Sequence, residues 1–235
     1  MNQRLINGAG AMGIEMTPAQ AAMFAEYHRM LEAANAQMNL TRVTGDEAID
    51  RNYLDSITPL AGALPAGIRT LADIGSGAGF PGIPLAIMLP PVEITLIDAL
   101  DKRVKFLNDV ISSLGLNAKA VHARAEEAGR RPELRERFDV VTSRAVAAMN
   151  VLCELALPLT RLGGTMLAYK GPTWREELEE ARNALEKLGG SFTGAQEAHI
   201  PGRDWAHWLV RIEKTAPCPE QYPRRPGMPE KRPLK

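Results

Sequence analysis

The sequence predicts an α/β fold: a mostly parallel sheet with helices on both faces, an antiparallel final hairpin, and a helical cap at the N-terminus. Three observations carry this prediction. From Thr70 onward, short apolar runs alternate with amphipathic segments, the pattern of a parallel sheet buried beneath helices. The last two β-like runs, AQEAHI and HWLVRIEK, have only the short turn PGRD between them. Such a turn joins antiparallel neighbours, because a parallel connection needs about a dozen or more residues. Ahead of Thr70 the apolar period is helical.

The first clear element is TPAQAAMFAEYHRMLEAANAQMNLT. Thr17 is its N-cap, Pro18 takes the first helical position and Gln20 completes a capping box. Met23, Tyr27, Met30, Leu31, Ala34 and Met38 recur at helical spacing and make one apolar face. TGDEAIDRNYLDSITPLAGAL reads as a second helix closing near Pro59, so residues 1–65 form the cap. The strands TLADI, EITLID, AKAVHA, FDVVTS and GTMLAY follow. Between them lie the helical stretches PLAIML and DKRVKFLNDVISSLG, a short piece near Glu126, and NVLCELALPL. TWREELEEARNALEKLG reads as one long helix before the final strand pair, which brings the sheet to seven strands over 66–215. Residues 216–235 are a basic, proline-rich tail.

Composition bounds the function. The 235 residues are 45% hydrophobic and 24% charged, as in an ordinary globular protein. Gly, Pro or charge interrupts every apolar run before the ~18 residues that a membrane span needs, and the N-terminus lacks a signal-peptide layout. Cys153 and Cys218 stand far apart, which makes no disulfide framework or metal cluster and fits a reducing cytoplasm. No membrane partner and no metal are expected. Net charge is zero, yet YPRRPGMPEKRPLK ends the chain with five Lys/Arg against one Glu. That asymmetry permits a local phosphate-binding face.

Residues 73–84, DIGSGAGFPGIP, form the point where an open α/β sheet binds its ligand. Glycines let the backbone approach a ligand closely, and the next helix offers free N–H groups. Two registers compete. Gly77-x-Gly79-x-x-Gly82 fits a nicotinamide-dinucleotide fingerprint, with Asp98 about 20 residues on for a ribose hydroxyl. Gly75-x-Gly77-x-Gly79 fits the looser loop of S-adenosylmethionine enzymes, with Asp98 on the same ribose. The loop alone does not choose. The antiparallel ending, the lack of a second substrate domain, and RAEEA after the third strand all favour the methyl donor. There Glu126 or the adjacent amide of Ala125 could meet the adenine edge.

On the acceptor side, FDVVTSRAVAAMN carries no Asn/Asp-Pro-Pro-aromatic run for an exocyclic amine, and no cysteine stands as a nucleophile for pyrimidine carbon. Arg144 ends the fourth strand and Lys170 the fifth, two cations on one rim that suggest an anionic acceptor. His28, His122, His199 and His207 assemble no general base. Guanine N7 needs none: it carries a lone pair and no proton, so positioning and desolvation suffice.

NLT at 39–41, LDS at 54–56, DIGSGAGFPGIPLAI, LIDALDKRVKFL, RAEE, SRAVA, YKG and YPRRPGMPEKRPL together resemble the RsmG (GidB) family, bacterial 16S rRNA guanine-N7 methyltransferases. The resemblance spans nearly the whole chain. It implies the class I S-adenosylmethionine-dependent methyltransferase fold, Rossmann-like, with S-adenosyl-L-methionine as donor. Its implied acceptor is a guanosine in the 530 loop of 16S rRNA, nucleotide 527. It also implies donor contacts at Gly75, Phe80, Ala125, Glu126 and Arg144, with Asp98 as the ribose-binding acid, and a tail that folds or contacts RNA; Gly77, the middle glycine of the donor-loop register, is expected to bind the donor with them. A cytoplasmic monomer working on the small ribosomal subunit is expected. Ala34 and Asn52 stand where many members have Trp and His, so those family roles do not transfer. A small-molecule methyltransferase of the same fold, an NAD-dependent oxidoreductase and a non-catalytic nucleotide-binding module on the ribosome are the alternatives.

Overall fold

The computed structural model describes residues 1–205 and 207–234. Seven strands form one sheet in the order β3-β2-β1-β4-β5-β7-β6. They are β1 (Thr70–Ile74), β2 (Glu93–Asp98), β3 (Ala118–His122), β4 (Phe138–Arg144), β5 (Thr160–Lys170), β6 (Gly190–Ala198) and β7 (His207–Lys214). The first five pair in parallel, whereas β7 runs antiparallel to both β5 and β6. This is the class I S-adenosylmethionine-dependent methyltransferase architecture the sequence predicts. Strand order reverses between β1 and β4, so the crevice above their carboxyl ends is where a ligand belongs.

The helices are α1 (Asn2–Ala11), α2 (Pro18–Met38), α3 (Gly45–Ala48), α4 (Asp55–Ile57), α5 (Gly82–Met88), α6 (Asp101–Leu114), α7 (Ala125–Ala128), α8 (Met149–Ala156), α9 (Trp174–Glu180), α10 (Arg182–Leu188) and α11 (Met228–Lys231). None is long and apolar enough to cross a membrane. The capping box at Thr17 and Gln20 opens α2 as expected. The helical α1 was not anticipated; only Leu5 and Ala9 of its ten residues are buried, too sparse an apolar stripe to stand out.

Two further segments differ from expectation. The second cap helix is a composite: a π-helical stretch, Ile49–Leu54, joins α3 to α4, and a 3-10 turn follows at Thr58–Ala61. The wider π turn buries Asp50, Asn52 and Tyr53 together, and such insertions are frequent at functional sites. The single helix expected over 173–189 breaks at Ala181 (φ −88°, ψ −2°). The bend lets Trp174 at one end and Leu185 and Leu188 at the other enter the same apolar cluster.

Apolar cores lie on both faces of the sheet. On one, Phe24, Tyr27 and Tyr53 of the cap pack with Leu71, Ile94 and Leu96 of the strands. On the other, α8 and α10 pack with Cys218, Tyr222 and Leu234 from the C-terminal strip. The strip is therefore part of the folded body. Arg224 grips the buried Glu154 of α8, and Arg135 donates to the carbonyls of Cys218 and Tyr222.

Candidate functional site

The glycine loop is held from three sides. Asp98, at the end of β2, accepts the Gly77 N–H at 2.8 Å and the Leu100 N–H at 2.9 Å. Asp73, at the end of β1, accepts the Gly82 N–H at 3.1 Å. From the cap, Tyr27 donates to the Ala78 carbonyl at 2.6 Å. Burial pushes the Asp73 carboxyl up to about 7, against the pull of its Ser76 and Gly82 hydrogen bonds. Gly75 (φ +69°) and Gly79 (φ +111°) adopt backbone conformations that disfavour side chains. A Cβ at Gly75 would lie 2.6 Å from Val146 Cγ2, and one at Gly79 would lie 2.7 Å from Tyr27 Oη.

Above the loop sits a cavity of about 210 Å³ lined by Gly75, Asp98, Ala125 and Glu126, with apolar walls from Ile97, Ala123, Val151 and Leu155. Pro229 and Glu230 of the C-terminal strip close one side. Glu126 is buried, and its Oε1 accepts the Gly227 N–H at 2.8 Å. An apolar slot edged by carboxylates suits an adenosyl nucleoside, which offers a flat ring together with hydroxyl and amino donors. The glycine backbone at Gly75 is a cradle a Cβ would fill. The residues present therefore fit S-adenosylmethionine.

A second cavity, of about 440 Å³, opens between the cap and the ends of β4, β5 and β7. Arg51, Asn52, Asp55, Arg144, Lys170 and His207 are among the residues lining it. Asp55, almost fully buried, accepts Arg144 Nη1 at 2.8 Å on one oxygen and His207 Nδ1 at 2.9 Å on the other. That hydrogen bond to Asp55 raises the His207 pKa above its ordinary value. Arg144 also lies over the Phe80 ring, 5.2 Å from its centroid. Phe80 in turn packs on Tyr27 and Tyr53, so cap, glycine loop and arginine form one aromatic-lined block.

The loop 145–148 separates the two cavities. Val146 and Ala147 line the smaller and Ala145 the larger. Lys170 holds this loop, donating to the Ala147 carbonyl at 2.7 Å and pairing with Glu177 at 2.6 Å. The same Glu177 oxygen accepts the Met149 N–H.

Of the residues singled out from sequence, Gly75, Asp98, Ala125 and Glu126 meet in the smaller cavity, whereas Arg144 and Lys170 meet in the larger. Gly77 and Phe80 line neither cavity; they support the loop beneath. Arg144 and Lys170 do not stand as free cations: each carries a carboxylate partner. Asp55, His207 and Glu230 were missed as site residues. Asp55 had a signal, the LDS motif, but its partners lie 89 and 152 residues away in sequence.

Comparison with known proteins identifies the family. The family model described as "rRNA small subunit methyltransferase G" matches residues 20–203. Ribosomal RNA small subunit methyltransferase G of Lactobacillus johnsonii is 44% identical over 226 residues, covering 94% of this chain and 95% of the relative. The protein of the same description from Clostridium perfringens is 43% identical, covering 96% and 95%. Among solved structures, an O-methyltransferase from Bacillus cereus in complex with SAH shares the fold, with a TM-score of 0.56 at 17% identity, covering 80% of this chain and 91% of that one. With 184 consecutive residues inside the family model and these relatives matched end to end, the chain belongs to the rRNA small subunit methyltransferase G family, enzymes that methylate rRNA with S-adenosylmethionine as donor.

Proposed function

We propose that this rRNA methyltransferase acts on N7 of a guanosine in 16S rRNA, nucleotide 527 of the 530 loop. Gly75, Asp98, Ala125 and Glu126 hold the donor, and the larger cavity receives the acceptor nucleotide. Bound S-adenosylmethionine supplies a methyl group made electrophilic by its sulfonium. The observation that carries the reading is that, among the described residues, the carboxylate, ammonium and phenol of the larger cavity are all engaged, and its histidine, His207, is held toward the protonated form by its hydrogen bond to Asp55. Asp55 is engaged by Arg144 and His207 at once, and Lys170 is paired with Glu177. Tyr169 donates its hydroxyl to the Ser56 carbonyl, and burial raises its pKa well above the ordinary phenol value. An acceptor that must lose a proton would find only His207 here, and Asp55 favours the charged ring, which has no lone pair to take it. Guanine N7 has no proton to lose.

The chain's own contribution is then positional and electrostatic. Arg144 is fixed between the Phe80 ring and Asp55, with its guanidinium edge on the cavity wall. Such a guanidinium can donate to guanine O6 while leaving the N7 lone pair free for the methyl group. The protein works as a cytoplasmic monomer on the small ribosomal subunit. The test is methyl transfer from labelled donor to small-subunit rRNA, followed by mapping of the modified nucleotide. Label on N7 of nucleotide 527 is expected. Label on an exocyclic amine or on another nucleotide would overturn the assignment, and transfer only to small molecules would favour the same-fold alternative.

A further inference from the structure

Three carboxylates line the smaller cavity, and they are not equivalent. Asp98 is engaged on both oxygens, by the N–H groups of Gly77 and Leu100. Glu126 has one oxygen bound to the Gly227 N–H. Glu230, an exposed residue, has no hydrogen-bond or ion-pair partner among the described residues, although it lines the same cavity as Gly75 and Asp98. Its backbone is nevertheless well placed. Arg224–Glu154 anchors the strip on one side, Gly227–Glu126 holds the turn into α11, Pro229 is buried beside it, and Leu234 is buried beyond it. A carboxylate on a fixed backbone, facing a cavity and bound to nothing in the chain, has its acceptor capacity free for a ligand.

We propose that Glu230 is a donor-binding residue contributed by the C-terminal strip: its carboxylate accepts a hydrogen bond from a hydroxyl or amino group of the adenosyl nucleoside. This rests on reading the smaller cavity as the donor site. Because the strip reaches that cavity through Gly227 and Glu230, occupancy of the cavity and closure of the strip are linked. Ligand binding therefore protects residues 225–232, and loosening the strip weakens binding by the same factor.

The test is calorimetric titration with S-adenosylhomocysteine, paired with limited trypsin digestion after Arg224 and Lys231, the basic residues of the strip followed by a residue other than proline. Glu230→Gln should raise Kd about tenfold, the loss of one charge-assisted hydrogen bond that the bound nucleoside would shield from solvent. The ligand should slow cleavage of the wild-type strip and slow it less in the variant. The melting temperature without ligand should not move, because Glu230 makes no bond within the chain. Gly75→Ala is the companion variant, since its Cβ would meet Val146. If Gly75→Ala weakens binding while Glu230→Gln leaves Kd within about twofold and protection intact, the role of Glu230 is refuted and the cavity reading stands. If neither variant weakens binding, the cavity is not the donor site.

Discussion

Arg144 Nη1 lies 2.8 Å from Asp55 Oδ2, a pair that joins the end of β4 to the first turn of α4. The cap is thereby locked onto the sheet at the mouth of the larger cavity. Asp55 is 2% exposed, so its charge is stable there only while Arg144 and His207 answer it.

Asp55→Asn should therefore cost stability as well as turnover. Removing one charge of a buried pair leaves the other uncompensated, and partial access of Arg144 to solvent limits the loss to about 2–3 kcal/mol. Urea denaturation measures this, and methyl incorporation at saturating donor measures the effect on turnover. A change smaller than about 0.5 kcal/mol would mean that the Phe80 ring and the Arg51 carbonyl hold Arg144 without Asp55.

The second partner of Asp55 gives a pH signature. Hydrogen bonding to Asp55 raises the pKa of folded His207, and burial and the nearby Arg144 and Arg51 only partly oppose it. For a histidine raised above its unfolded value of about 6.5, the stabilisation is fully present below that pH. It is lost as pH rises through the folded pKa. The difference in melting temperature between wild type and His207→Gln should be largest below the unfolded pKa and shrink as pH rises above it through the folded one. A difference that grew with pH would show that His207 binds Asp55 as the neutral ring.

Lys170 poses a sharper choice. Its ammonium joins the Ala147 carbonyl to Glu177, and that loop carries Val146 against Gly75. If loop placement is its role, Lys170→Met should weaken S-adenosylhomocysteine binding and turnover together, by about tenfold each, the loss of one charge-assisted contact. If Lys170 instead touches the acceptor, donor Kd will stay put and the KM for rRNA will rise. Calorimetry and initial-rate kinetics on the same protein separate the two.

The sheet was legible in the sequence because its central strands, such as β1 and β2, are short apolar runs and its last turn is too short for a crossover. The glycine loop was legible because only close backbone approach explains so many glycines next to Asp98. Gly75, Asp98, Ala125 and Glu126, which line one cavity, lie on or close to that loop. The Asp55–Arg144–His207 constellation was not legible, since it depends on a π-helical stretch turning Asp55 toward β4 and β7, and no spacing rule encodes that. For the same reason Arg144 and Lys170 read as two cations on one rim without their partners: Asp55 lies 89 residues from Arg144, and Glu177 is one of several acids in its segment. The C-terminal strip was ambiguous because four prolines keep a chain extended whether or not it packs. What decides its packing is Glu154, a buried carboxylate on α8 that composition presents as one more acid.

Glu154 provides the last test. Its carboxylate is 0% exposed and accepts both the backbone N–H and the guanidinium of Arg224. Arg224→Met should destabilise the protein by about 3 kcal/mol, because a carboxylate is left buried without its cation. The loss cannot grow much beyond this, since the strip can peel away and admit water to Glu154. Peeling would also break the Gly227–Glu126 bond and open the smaller cavity. Adding Glu154→Leu to Arg224→Met removes the stranded charge and should recover most of the loss, as replacing both members of a buried pair often does. Recovery should stay incomplete by about 1 kcal/mol, because the Arg224 backbone N–H then has no acceptor. Urea denaturation of the two single variants and the double variant closes the cycle. Additive losses in the double variant would show that Glu154 and Arg224 stabilise the fold independently, and the strip would then be held by its apolar residues alone.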